Sequence, residues 1–158
     1  MAATCRFAFA VHVLAMLAYK RGSDLSSDLL AASVNTNAVC IRRLLSDLRK
    51  AGLVSTQQGT GGGARLVGDP EEITLDAIYR AVEQGKTFSP HPHEPNHECP
   101  VGRKIQMVLG EVFSSAQRAL EEALAQRTLA DVLETVIEET PRVRRAARST
   151  PPAIAGAR

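Results

Sequence analysis

Three imidazoles and one thiol crowd the stretch SPHPHEPNHECPVG: His91, His93, His97 and Cys99. Nitrogen and sulfur donors of this kind suit Zn or another late transition metal. Cys99 also admits a chemistry that needs no partner. It stands just before an expected helix and before Arg103 and Lys104, and helix-start amides and cations both favour the thiolate that oxidants and electrophiles attack. A third reading is an ordinary exposed loop, because Pro90, Pro92, Pro95 and Pro100 punctuate the segment. The thiol is the favoured sensor, since a metal needs three or four ligands converging from a proline-rich loop. A metalloenzyme would also need a general base and a pocket, and only Glu94 and Glu98 lie near, so no enzyme is expected.

A second set of residues suits phosphate. The span from Asn35 to Val67 carries Arg42, Arg43, Arg49, Lys50 and Arg65 against Asp47 alone. The formal charge of the whole chain is only +2, with nine Lys/Arg against eight Asp/Glu in residues 1–84 and five against nine in residues 85–139. The local excess decides, because nucleic acid is met by one face and not by an average. The span closes on GLVSTQQGTGGGARLVGD, whose glycine cluster suits a tight turn or a close approach to another molecule. A nucleotide cradle fits poorly there, with no Gly-Lys-Ser/Thr following and no strand-to-helix step.

The elements that must position these groups are mostly helical. Phe7, Val11, Leu14 and Ala18 stripe a first helix from about residue 5 to 21. Its apolar run FAFAVHVLAML is about half the roughly 20 residues that a membrane span requires, so it reads as buried. SSDLLAASV makes a short second helix, and NTN breaks it. From residue 37 to 51, Ala38, Ile41, Leu44, Leu45 and Leu48 share one face of a third helix. Thr36, Val39, Arg43, Ser46 and Lys50 take the opposite face. Two short helices joined by a polar turn, the second with a basic outward face, form a helix-turn-helix. LVSTQQ and ARLV then alternate as two antiparallel strands around GTGGG, which makes a wing. The expected DNA contacts are Asn35, Thr36, Asn37, Val39, Arg42, Arg43, Ser46 and Lys50 on the helix-turn-helix, with Gln58, Gly61, Gly62, Gly63 and Arg65 on the wing. A wing tip bare of side chains can reach a phosphate or the minor groove.

From Val101 to about residue 126 a long helix carries two apolar stripes: Val101, Ile105, Val108, Val112, Ala116 and Ala119, and beside them Leu109, Phe113, Leu120 and Leu124. A small domain cannot bury such a helix alone, so one stripe is expected on the parent domain and the other on a second copy. Residues 128–139 continue as a short helix that could close over the pair. Residues 140–158 hold five arginines and no acid, and read as a disordered basic tail that either follows DNA or is simply solvated. Three scattered cysteines do not make a disulfide framework and fit a reducing cytoplasm. Cys5 and Cys40 read as packing residues of other helices.

These residues resemble the Rrf2 (Rrf-two) family of bacterial winged-helix transcription regulators. The resemblance runs over roughly residues 4–139 and is strongest in LLSDLRKAGLVSTQQGTGGGARLVGDPEEITLDAIYRAVE, which is similar to the family's recognition helix, wing and following helix. HPHEPNHECPVGRKIQ is similar to the segment before its long dimerisation helix. The resemblance implies a homodimeric regulator, usually a repressor, whose loop senses iron-sulfur, redox or metabolic state. Family members with a two-iron two-sulfur cluster place three cysteines in this loop. Here Cys99 stands alone, so the likeness is to the branch without the cluster motif and no iron-sulfur cofactor is expected.

The fold expected is mainly α with a small β-hairpin wing: a winged helix-turn-helix domain in residues 1–84, a sensor loop in 85–100, dimerisation helices in 101–139 and the tail in 140–158. The function expected is a sequence-specific, DNA-binding transcription regulator, a dimeric repressor on a palindromic double-stranded operator, tuned by thiol redox at Cys99. The alternatives are a metal response through His91, His93, His97 and Cys99, or a small-ligand response with no chemistry at Cys99. No membrane partner is expected.

Overall fold

The computed structural model describes residues 5–59, 61–83, 85 and 87–139. The basic tail expected over residues 140–158 lies outside the described residues. Among the described residues, six helices and one hairpin follow in the order α1 (Arg6–Tyr19), α2 (Ser27–Val34), α3 (Ala38–Lys50), β1 (Val54–Thr56), β2 (Ala64–Leu66), α4 (Leu75–Val82), α5 (Gly102–Ala125) and α6 (Leu129–Glu139). The result is a mainly α winged helix with a long appended helix.

Local chemistry sets the helix starts. The Ser26 hydroxyl accepts from the Leu29 amide, the Asn37 carbonyl oxygen accepts from the Cys40 amide at 2.8 Å, and the Thr74 hydroxyl accepts from the Ala77 amide. Each such cap satisfies an amide that the helix itself leaves unpaired and is worth about 1 kcal/mol. Asn35 ends α2 in the left-handed region at φ 58°, so the α2–α3 turn is built by a residue type that tolerates it.

Apolar residues at helical spacing then close the core. Leu14 and Leu17 of α1, Leu30 of α2, Ile41 and Leu48 of α3 and Ile78 of α4 are almost wholly buried. Each such side chain contributes about 1.5–3 kcal/mol relative to exposure. The core therefore grips α3 by its Ile/Leu face and leaves its other face in solvent.

β1 and β2 pair antiparallel with Val54 opposite Leu66, Ser55 opposite Arg65 and Thr56 opposite Ala64. Ala64 also exchanges two hydrogen bonds with Leu25, at 3.0 and 2.8 Å, so the approach to α2 forms a third row of the wing. The wing is thereby tied to the helix-turn-helix instead of hanging from it.

α5 starts at Gly102, one residue later than the stripe from Val101 suggests. At 1.5 Å per residue it is about 36 Å long, and none of its residues is fully buried. Its flank with Leu109, Phe113, Leu120 and Leu124 is half-buried, and the helix packs on α4. Val101, Val108 and Val112 of the other stripe remain 66%, 46% and 54% exposed.

α6, expected as a short helix that could close over the pair, docks within its own chain. It packs on α1 of its own chain through Leu129, which is wholly buried. Residues 73–75 and 127–129 hold it there as an antiparallel bridge, with the Leu75 amide donating to the Arg127 carbonyl and the Leu129 amide to the Ile73 carbonyl, both at 2.8 Å.

Candidate nucleic-acid interface

The outward face of α3 presents Val39, 54% exposed, with Arg42, Arg43 and Lys50 exposed and Ser46 half-buried. Thr36 and the exposed Asn35 and Asn37 lie at its start. These residues share one surface, but their side chains are not equally free. Asn37 is occupied as the cap of α3. Arg42 donates through Nε to the Ala38 carbonyl one turn back. Lys50 pairs with Asp47 at 3.1 Å. Arg43 makes no hydrogen bond or ion pair among the described residues, so it can reach outward without breaking one.

Arg65 departs most from the expectation of a charge beside the wing tip. It forks onto both carboxylate oxygens of Asp24, at 3.2 and 2.9 Å, and so ties β2 to the segment before α2. A bidentate pair of this kind is geometrically demanding, and a phosphate would have to compete with Asp24 for it. Arg49, counted in the charge excess but given no role, instead points along the wing side, with Nη1 3.5 Å from the Thr56 hydroxyl. Arg42 and Arg49, seven residues apart, border a concavity of about 370 Å³ between α3 and the hairpin, which Ser26, Ser46 and Gln58 also line. Helical phase could have found Arg49, since it falls on the flank that Arg42 occupies.

The glycines of the wing separate into two kinds. Gly61 has φ 83° and open space around it, at an exposed tip. Gly62 and Gly63 face inward. A β-carbon on Gly63 would stand 2.6 Å from the Leu25 carbonyl oxygen, and one on Gly62 would collide with the Gln57 carbonyl. These two are bare so that the hairpin can close on itself and on Leu25, and the amide of Gly62 is already donated to the Gly59 carbonyl. Of the three wing glycines expected at the DNA, these two are packed against protein.

The loop before α5 is a built turn. The Cys99 amide donates to the Asn96 carbonyl, the Glu98 amide to Asn96 Oδ1 and the Arg103 amide to the Cys99 carbonyl. A β-carbon on Gly102 would collide with the Asn96 carbonyl, so glycine is required where the loop meets the helix. Cys99 is exposed, and the backbone amides of Gly102 and then Val101 hold its thiol below the usual range. Amides do this, not the expected cations: the Arg103 guanidinium is turned to the His97 carbonyl at 3.1 Å. His97 Nε2 lies 2.9 Å from Glu94 Oε1. His91, His93, His97 and Cys99 are not drawn together, and among the described residues no three His, Cys, Asp or Glu side chains are placed to hold a metal ion. Phe88 stacks on Phe113 at 5.2 Å, and beside them the loop and α5 enclose a cleft of about 850 Å³ that reaches Met107, Gly110 and Arg118.

Residues 3–135 match Rrf2, described as "Iron-dependent Transcriptional regulator". YwnA of Bacillus subtilis (strain 168), named among HTH-type transcriptional regulators, is 44% identical over 129 residues, covering 81% of this chain and 94% of its own. The HTH-type transcriptional regulator NsrR of Halalkalibacterium halodurans is 30% identical over 129 residues, 79% of this chain and 85% of NsrR. The solved structure of CymR, named the global cysteine regulator of B. subtilis, superposes with a TM-score of 0.62 at 25% identity over 85% of this chain and 98% of CymR. Iron in the family description finds no matching donor set in this loop, where Cys99 is the one thiol; Cys5 precedes α1 and Cys40 lies on α3.

Proposed function

The chain belongs to the Rrf2 family of DNA-binding transcriptional regulators, which are not enzymes, and from that premise we propose that it is a cytoplasmic, homodimeric repressor that reads a palindromic operator and is tuned through Cys99. The observation that carries the tuning is the thiol itself: exposed, alone, and held toward thiolate by two helix-start amides. A peroxide would be attacked at one oxygen by the Cys99 thiolate, so that an S–O bond forms, the O–O bond breaks and hydroxide leaves, giving a sulfenic acid at the start of α5. This reading uses no resident iron or zinc: among the described residues no three His, Cys, Asp or Glu side chains are placed to hold one ion. Dimerisation is supported by the exposed valine flank of α5, about 36 Å long, and a two-fold dimer presents two copies of α3 to two half-sites. No helix among the described residues is long and apolar enough to cross a membrane.

The test is selection of bound fragments from genomic DNA by the purified protein, with and without peroxide. A recurrent inverted repeat that is lost on oxidation in wild type, but not in Cys99→Ser, is expected. Enrichment without a repeat would sink the operator reading, and equal loss in Cys99→Ser would sink the thiol reading. A second reading, a small ligand in place of thiol chemistry, is favoured by one observation: the cleft beside Phe88 and Phe113 has a size that small-molecule sites commonly have.

A further inference from the structure

Asp47 is oddly placed for a helix that meets DNA. It sits in the last turn of α3, where the helix dipole disfavours an anion, and beside a surface meant for phosphates. Its side chain is only 16% exposed and its two oxygens are divided between two cations: Oδ1 accepts from Lys50 at 3.1 Å and Oδ2 from Arg6 Nη2 at 2.7 Å. The hydrogen bond from Lys50, opposed by burial and reinforced by Arg6, holds the carboxyl below the usual range, so it stays ionised at neutral pH. Arg6 in turn donates through Nε to the carbonyl of Val82, 3.1 Å away, one of the last carbonyls of α4 and one that its own helix cannot satisfy. One guanidinium at the start of α1 thus joins the end of the recognition helix to the end of α4, from which the chain runs on to the Cys99 loop. The neighbouring Phe7 ring packs edge-on against Tyr79 of α4, 5.7 Å between centroids.

We propose that Arg6 is a positioning residue for DNA reading: through Asp47 and the Val82 carbonyl it sets the angle and depth at which α3 is offered to the major groove, although it stands outside the DNA-facing surface. The inference rests on α3 being the reading helix. Its signature is a change of discrimination, which a simple change of surface charge does not produce. Removing Asp47 deletes an anion and frees Lys50, so charge alone tightens binding to every duplex. Loss of positioning instead weakens the selected duplex while random DNA gains.

The experiment uses the full chain as wild type, Arg6→Met, Arg6→Lys and Asp47→Ala, with fluorescence anisotropy on a duplex enriched from a random pool by wild type and on a random duplex of equal length. Circular dichroism melts confirm folding. Arg6→Met and Asp47→Ala are each expected to lower the ratio of selected to random affinity about tenfold, the size of one misplaced base contact, and Asp47→Ala to do so while binding random DNA more tightly. Arg6→Lys, which keeps an ion pair but loses the fork, falls between. The salt dependence on the selected duplex should keep its slope in Arg6→Met, since Arg6 meets no phosphate. Proportional changes on both duplexes, or an Asp47→Ala variant tighter on both, overturn the proposal and leave the pair as surface charge. If Arg6→Met does not fold, Arg6→Lys and Asp47→Ala decide alone. A wild-type chain that enriches no sequence overturns the DNA reading itself and the positioning role with it, an outcome distinct from the others.

Discussion

At Arg43 the outward face of α3 carries a guanidinium with no internal partner among the described residues, flanked by the exposed Val39 and the half-buried Ser46. A fork of this kind fits the paired acceptors of guanine in the major groove. Arg43→Ala is expected to cost about 1–3 kcal/mol on the operator and to relax one base position, measured as binding to a panel of single-substitution duplexes. An equal loss on random DNA would make it a backbone contact. Cys99 yields a second prediction at this scale. Its thiol lies below the usual range because the amides of Gly102 and Val101 donate to it. The thiolate therefore persists to lower pH than in a free cysteine, and reactivity is lost only as pH falls through the lowered value. Alkylation by iodoacetamide, followed by peptide mass spectrometry at a series of pH values, should show a midpoint at Cys99 below the usual value of about 8.5. A midpoint at or above that value would remove the electrostatic basis for a sensor.

Among the elements, the wing depends on two glycines that touch protein. Gly63 lies against the Leu25 backbone, where β2 joins the segment before α2. Gly63→Val is expected to destabilise the domain by about 2 kcal/mol or more, the cost of forcing bulk into a packed site, seen as a lowered midpoint in urea. Substitution at Gln58, exposed beside the tip, should leave that midpoint unchanged and alter only DNA affinity. If Gly63→Val keeps its stability and loses only DNA binding, the hairpin is looser than its hydrogen bonds describe. The pairing of Arg65 with Asp24 belongs to the same element: it spans 41 residues of chain and makes the wing and the approach to α2 one unit.

For the molecule as a whole, the proposed dimer rests on α5. One flank lies on α4, where Arg80 reaches Asp76 and Glu121, each at 2.8 Å, and the other exposes Val101, Val108 and Val112. Val108→Asp with Val112→Asp should shift sedimentation from dimer to monomer without changing the thermal stability of the winged domain, because neither side chain is buried within one chain. Binding to an inverted repeat should then fall steeply while binding to a half-site persists. A variant that remains dimeric would place the interface elsewhere. With Leu129 buried in the core and α6 docked on α1, the chain returns to the winged domain after α5, so the C-terminal end of the long helix is anchored on that body.

The sequence by itself determined what depends on neighbours along the chain. The two faces of α3 follow from a 3.6-residue period that places Ile41, Leu44, Leu45 and Leu48 on one side and Arg43 on the other, and the caps at Ser26, Asn37 and Thr74 act within three residues. The hairpin follows from alternation around clustered glycines. Tertiary structure alone decided that Arg65 is not free. It looks identical in composition to Arg43, yet it is engaged by Asp24 from 41 residues away, whereas Lys50 meets Asp47 within one turn of its own helix. It also decided that Gly62 and Gly63 are bare for steric reasons, that α6 folds back on α1, and that Asp47 is shared with Arg6. The physical reason is range. A helical period or a cap is a local property, readable wherever it is written, whereas an ion pair or a close backbone approach exists only once packing has brought two distant segments to within a few ångströms.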